Sequence, residues 1–418
     1  MRRWIAGAAL VTAVVVVAAS CSSSPSPEPI RIGALYPFTG TQGPGGLEEY
    51  HGVRLAAQMV NDAGGVDGRP ISLVPIDVPR GDAAPSAVDR LGQAGIGLVV
   101  GSHGSTISVP ASIEAEHRGM LFWETGAVGF MASAQPTDLV FRVPPTGLFL
   151  GGRAIAFAAD RLAASWHRPA SSLRIAIAYV DDVYGRSVAR GAEEEIARRR
   201  LDLVGRFAYD PRAADIRDVV RKVAATHADV FFVAAYVKDG IALRRQVIAQ
   251  HVPLDAMIGT SSSYCMPAFG ATLGRDAVGV FASDKPDEET LGTDGLTASA
   301  RAVLQGATAA YRARYGVEMS AGALAGFAAG WALFHDVLPR ASAMTPAAVA
   351  ASARSIEIPI GGLPNGSGLR FGPAGSADGD SNLRAVSVVE QWTGKEEPVV
   401  VWPERFVEQP VHLLPLGP

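Results

Sequence analysis

The chain has 418 residues, 48% of them hydrophobic, and a formal net charge of −4. That is enough apolar material for large cores and favours two domains over one, which excludes a disordered or fibrous protein. The slightly acidic balance, with no Lys/Arg stripe interleaved with aromatics, excludes the usual electrostatic footprint of a nucleic-acid binder.

The first twenty residues read as a secretory leader: Arg2 and Arg3, an apolar run over 5–19, then small residues. The run is too short for a confident membrane span. Val17-Ala-Ala-Ser-Cys21 resembles a bacterial lipobox, which makes Cys21 the acylated first residue of the mature protein. Ser22-Ser-Ser-Pro-Ser-Pro-Glu-Pro29 behind it reads as a flexible tether. The expected address is therefore outside the cytoplasm, on the membrane surface. Only Cys265 then remains, so no intramolecular disulfide can form, and a packed small hydrophobe is the simplest reading of it.

From residue 30 short apolar runs alternate with helical patterns, the signature of parallel βα units. Strands are expected at 30–35, 71–78, 96–100 and 120–123, with helices at 48–61, 87–93 and 109–117 between them. Phe141-Arg-Val-Pro-Pro-Thr146 breaks the rhythm as an extended crossing. A second series follows, with strands at 173–180, 203–209, 230–236 and 254–258 and helices at 149–162, 187–200, 216–226 and 241–250. Residues 278–282 read as a crossing back, followed by helices at 298–315, 321–338 and 346–353, an irregular stretch over 361–381 and a last strand at 385–392. Two series with repeated crossings predict a hinged, two-lobed α/β protein.

The segments Gly101-Ser-His-Gly-Ser-Thr-Ile-Ser-Val-Pro110 and Phe122-Trp-Glu-Thr-Gly-Ala-Val-Gly129 sit at the ends of neighbouring parallel strands. Open α/β sheets bind ligands there, so these two loops are expected to form half of a small-molecule cleft. Backbone N–H groups at a helix start, with Ser105 and Thr106 hydroxyls beside them, suit a carboxylate; plain N-capping is the competing reading for each serine alone. A hydrolase built on Ser105 and His103 is disfavoured, because Gly-x-Ser-x-Gly is not satisfied. The eight histidines show no zinc spacing, and no phosphate loop or dinucleotide fingerprint occurs. No metal, no cofactor and no catalytic residue is expected.

Taken in order, Ile32-Gly-Ala-Leu-Tyr-Pro-Phe-Thr-Gly40, the run over 52–68, the two loops above, Phe141-Arg-Val143 and Asp182-Val-Tyr-Gly185 form one set. In order and spacing they resemble the leucine/isoleucine/valine-binding family of periplasmic substrate-binding proteins that serve ABC importers. The resemblance implies a two-lobed type I fold whose lobes are each a mostly parallel sheet flanked by helices. It divides the chain into a signal peptide (1–20), a lipidated tether (21–29), lobe 1 (30–142 and 283–383), lobe 2 (143–282 and 384–404) and a tail (405–418). It implies a small polar solute, such as an amino acid, held between the lobes by a monomer and delivered to an ABC permease. A sensor acting on a signalling partner, or a binder of an amide, organic acid or aromatic acid, is the alternative.

By the same resemblance, Ser105 with Thr106 would meet the ligand carboxylate, and the loop Gly126, Ala127 and Val128 would meet its amino and carboxylate groups. Tyr184 and Tyr236 would close over the ligand from the second lobe. Two positions depart from the amino-acid pattern: Val128 stands where a hydroxyl is expected, and Ser261 where an acid is expected. Glu124 would replace the missing acid if its side chain entered the cleft, and Trp123 would either wall the pocket or pack in the core.

Overall fold

The computed structural model describes residue 1 and residues 27–129, 138–212, 215–287, 290–376, 379–394, 398–408 and 412–417. The leader and Cys21 lie outside the described residues. The chain folds around two sheets. The first is wholly parallel, in the order β2-β1-β3-β4-β5, built from β1 (Ile30–Tyr36), β2 (Ile71–Asp77), β3 (Leu98–Gly101), β4 (Leu121–Glu124) and β5 (Val140–Arg142).

Side chains alternate across this sheet, so a strand buried on both faces reads as an almost unbroken apolar run. Ile32, Ala34 and Tyr36 of β1 enter one core, and Leu35 enters the other. The first core is closed by α1 (Gly43–Asp62), and the second by α2 (Ala84–Gln93) and α3 (Ser105–His117).

The second sheet is seven-stranded. Its parallel part consists of β6 (Arg174–Val180), β7 (Asp202–Tyr209), β8 (Val230–Ala234), β9 (Ala256–Thr260) and β10 (Phe281–Asp284). Two antiparallel strands extend it, β11 (Val388–Gln391) and β12 (Val399–Trp402). The helices of this unit are α4 (Gly147–Phe157), which continues through a π-turn into the short α5 (Ala163–Ser165), then α6 (Val183–Arg199), α7 (Ile216–Ala224), α8 (Val237–Ala249) and α9 (Pro267–Leu273).

The chain then returns to the first core through α10 (Ala298–Tyr315), α11 (Ala321–Trp331) and α12 (Pro346–Ser355). The segment Ala321–Arg340 is long and apolar enough to cross a membrane, but it lies largely inside this core. The architecture is thus the expected one, two mostly parallel sheets with helices on their faces.

Each unit has one tight helix pair. On α1, a β-carbon at Gly52 would lie 2.0 Å from the Ala323 carbonyl oxygen of α11. On α4, one at Gly151 would lie 2.0 Å from the Val188 carbonyl oxygen of α6. Glycine is needed at both because backbone meets backbone without room for any side chain.

Four expectations are corrected. Residues 140–142 are not a free crossing but a fifth strand on β4, and 281–284 is a strand on β9, so Ser283 and Asp284 belong to the second sheet. Strand β12 and helix α9 were not foreseen. Helices α1, α3, α6 and α8 each begin four or five residues earlier than the apolar pattern indicates. The added first turns of α3 and α6 face one another where the two units meet.

Candidate functional site

The loop that leaves β4 is held from below by an acid that the sequence left ambiguous. Glu124 is fully buried, and its Oε1 accepts from the backbone N–H groups of Thr125, Gly126 and Ala127 at 2.9, 2.9 and 2.8 Å. Its Oε2 accepts from the Ser108 hydroxyl. The carboxylate is therefore turned under the loop and does not enter the cleft as a substitute acid. Burial, reinforced by the nearby Glu49 charge, pushes the Glu124 carboxyl up to about 7.

Glu49 comes from α1 and is also fully buried. It accepts from the Thr125 hydroxyl at 2.6 Å and contacts His103 Nδ1 at 3.1 Å, while the Tyr36 hydroxyl lies 2.6 Å from Thr125 Oγ1. Gly126 passes so close over this acid that a β-carbon there would lie 1.7 Å from Glu49 Oε2. His103 is thus engaged with Glu49, and no hydrogen bond joins it to Ser105 among the described residues. The Ser–His pairing that a hydrolase would need is absent from this geometry.

Trp123 is a core residue. It is completely buried, donates from Nε1 to the Ala329 carbonyl at 2.9 Å, and packs against Phe141 and Phe371. As neighbours on one strand, Trp123 and Glu124 point to opposite faces of the sheet, and neither face opens on the cleft.

Ser105 starts α3 and closes the far end of the loop. Its Oγ accepts from Gly129 N–H at 2.8 Å, which leaves its own hydrogen available to donate. Gly104 caps this helix with no side-chain hydrogen bond. Thr106 Oγ1 accepts from Gln42 Nε2 at 3.0 Å. The Gly129 carbonyl accepts from Arg142, whose Nε is paired with Asp380 at 3.1 Å. Val128 packs into the core of the second unit, so its apolar side chain is accounted for by packing across the junction.

The second unit brings its own helix start against this loop. A β-carbon placed on Gly129 would be 2.4 Å from Ser105 Cβ and 3.5 Å from the Val183 carbonyl at the first turn of α6. Asp182 caps α6 by accepting from Gly185 N–H at 2.9 Å and accepts from the Tyr236 hydroxyl at 2.6 Å. Tyr184 and Tyr236 lie side by side with ring centroids 5.5 Å apart. The Tyr184 hydroxyl is already engaged with Thr260 and the Ser261 carbonyl, so Tyr184 can offer a ligand only its ring.

Ser261 follows β9, and beside it stands a pair of residues that the sequence reading passed over. Asp284 ends β10, and its Oδ2 accepts from the Cys265 thiol at 2.7 Å. Burial and the Asp284 charge push that thiol well above its ordinary value, so Cys265 is held protonated. Lys285, the next residue, is buried and donates from Nζ to the Gly126 carbonyl of the first unit at 3.0 Å. A charged doublet directly after an apolar strand, at a crossing between units, was the available signal for both.

Ser105, Gly126, Ala127, Val128, Tyr184 and Ser261 are all buried where the two units meet, with Thr106 and Tyr236 at its margin. Glu124 and Trp123 support this region from below. Among the described residues no group of His, Cys, Asp and Glu is arranged to hold a metal ion.

A family model described as periplasmic binding protein matches residues 29–391. The chain belongs to the periplasmic binding protein family. Leu/Ile/Val-binding protein homolog 8 of Brucella abortus is 27% identical over 382 residues, covering 90% of this chain and 91% of that protein. Homolog 7 of the same organism is 24% identical over 390 residues, covering 93% of this chain and 95% of that one.

Solved structures share the fold. An ABC transporter substrate-binding protein from Desulfitobacterium hafniense, in complex with Leu, has a TM-score of 0.70 at 22% identity and covers 90% of this chain and 100% of its own. A solute binding protein of an ABC transporter from R. palustris, in complex with benzoate, has a TM-score of 0.69 at 13% identity, covering 92% of this chain and 100% of its own. The fold is the two-lobed one the sequence implied.

Proposed function

We propose that this protein is an extracytoplasmic solute-binding protein of an ABC importer, held at the membrane by a lipid on Cys21. It captures a small solute bearing a carboxylate, an amino acid or a related compound, between its two lobes. The observation that carries this reading is the convergence of two strand-end loops, Ser105 with 126–129 from one sheet and Tyr184 with Ser261 from the other, at a single buried junction. A solute that touches both lobes only when they close stabilises the closed form by its differential affinity, and no covalent step is involved.

The relatives support the transport role: the Brucella proteins are named for Leu/Ile/Val, and the structural neighbours hold Leu in one case and benzoate in the other. An ABC permease is the proposed partner of the loaded protein, which acts as a monomer without cofactor or metal. Of the predicted contacts, Ser105, the 126–128 loop and the Tyr184 ring are retained as ligand contacts.

A thermal-shift screen of amino acids, amides, organic acids and aromatic acids tests this directly. A true ligand at 100 times its Kd stabilises the folded protein by about 2.7 kcal/mol. Absence of any shift across all four classes would sink the reading, as would turnover of an ester or amide that Ser105→Ala abolishes.

A further inference from the structure

Lys285 is 8% exposed and spans the junction from the end of the second sheet to the loop of the first. Its hydrogen-bond partner there is a neutral carbonyl, Gly126 O; no carboxylate lies within ion-pair distance among the described residues, and the charge nearest to it is the buried Asp284 that precedes it. An ammonium removed from water in this way is costly unless charge or strong acceptors surround it.

The polar groups around the loop divide unevenly. The acceptors beneath and along the 124–129 loop are engaged: Glu124 by three backbone N–H groups and Ser108, Glu49 by Thr125 and His103, Gly126 O by Lys285 and Gly129 O by Arg142, while Gln42 Oε1, beside Gly104 at the start of α3, has no partner. Donors remain open: the Ser105 hydroxyl hydrogen, the uncapped first turn of α3, and the other N–H bonds of Lys285. Open donors outnumber open acceptors along this loop, which favours an anion.

We infer that Lys285 supplies, from the protein itself, the ammonium that the loop carbonyl accepts, so that the solute is a carboxylic acid lacking an α-ammonium group. This rests on the solute-binding reading above and narrows its ligand class. The competing acceptor is Asp284, 3% exposed, whose Oδ1 has no hydrogen-bond partner. Burial pushes that carboxyl above its ordinary range, while the adjacent Lys285 ammonium and the Cys265 thiol pull the other way, so its charge is already partly offset from within the protein. If Asp284 instead receives a ligand ammonium, amino acids will bind and their deaminated analogues will not.

The test is titration calorimetry of the purified protein with matched pairs: leucine against 4-methylpentanoate, valine against 3-methylbutanoate and phenylalanine against 3-phenylpropanoate. The deaminated member of at least one pair is expected to bind ten-fold or more tightly than its amino acid. Lys285→Met should erase that preference, and Lys285→Arg should keep it. A residue that merely braces the hinge would weaken both members of a pair equally, so an unchanged ratio in Lys285→Met overturns the inference. Tighter binding of the amino acids by the unaltered protein overturns it without any variant and leaves the solute-binding reading standing. Silence from every acid and amino acid would remove both.

Discussion

Replacing Glu124 should separate the two things its carboxylate does. In Glu124→Ala the Gly126 N–H loses its acceptor outright, whereas Thr125 and Ala127 keep second acceptors at Gly101 O and Ser102 O, 3.0 and 3.1 Å away. One orphaned donor costs about 1–3 kcal/mol, and the unpaired Ser108 hydroxyl and the space left behind add to it, for a total of roughly 3–5 kcal/mol. Glu124→Gln keeps an amide oxygen for the loop and an NH₂ for Ser108, so about 1 kcal/mol is expected near pH 5.

The pH dependence has the opposite sign to that of an ordinary salt-bridged acid. With the folded carboxyl raised from 4.5 to about 7, the unfolded chain gives up its proton first. Stability from this group is complete below the unfolded value and is lost as pH climbs through about 7, at 1.36 kcal/mol per unit, or roughly 3 kcal/mol across the window. Urea unfolding of the unaltered protein and of Glu124→Gln at pH 5 and pH 8 isolates the effect. Their stability difference should shrink or reverse at pH 8. A constant difference at both pH values, or a Glu124→Ala cost below about 1 kcal/mol, would refute the account of how this loop is held.

Three further outcomes can be checked. Ser105→Ala removes a hydroxyl donor and leaves Gly129 N–H unmatched, so affinity for whichever solute emerges from the thermal-shift screen should fall about ten-fold, equivalent to ~1.4 kcal/mol, with the far-UV spectrum unchanged. Gly126→Ala drives a methyl into Glu49 and should lower stability by about 1–3 kcal/mol in thermal unfolding, whereas Gly306→Ala, inside α10 with Met59 Cε 3.9 Å away as its nearest neighbour, should cost less. Cys265 should react more slowly with a thiol reagent at pH 8 in the native protein than in urea; equally fast native labelling would contradict its protonated, partly buried setting.

The fold was readable because buried parallel strands announce themselves as apolar runs, and each strand of the first sheet except β5 did so. β5 escaped because it is three residues long, Val-Phe-Arg, and ends in the charge that clamps the loop. The helix starts escaped for a more general reason. The first turns of α3 and α6 face one another across a polar junction, so Ser105 and Tyr184 lie outside the apolar periodicity that marks the rest of each helix.

Among site residues, the loop positions were found by their place at strand ends. Glu124 could not be oriented from sequence, because strand alternation says only that it opposes Trp123 and not that its carboxyl turns back under the loop that follows. Lys285 was missed because its partner, Gly126, is 159 residues away and offers a backbone oxygen, which leaves no trace in side-chain chemistry.

The described chain begins on β1 of the first sheet, while 412–417 is pinned to the second by Leu414 on Gln391 and by Gly417 on Arg244 and Val278. The two described ends are therefore fixed to different sheets. Fluorophores placed near Glu28 and His412 would read lobe movement as a change in energy transfer, so the native connectivity already has the layout of a biosensor and needs no inserted reporter.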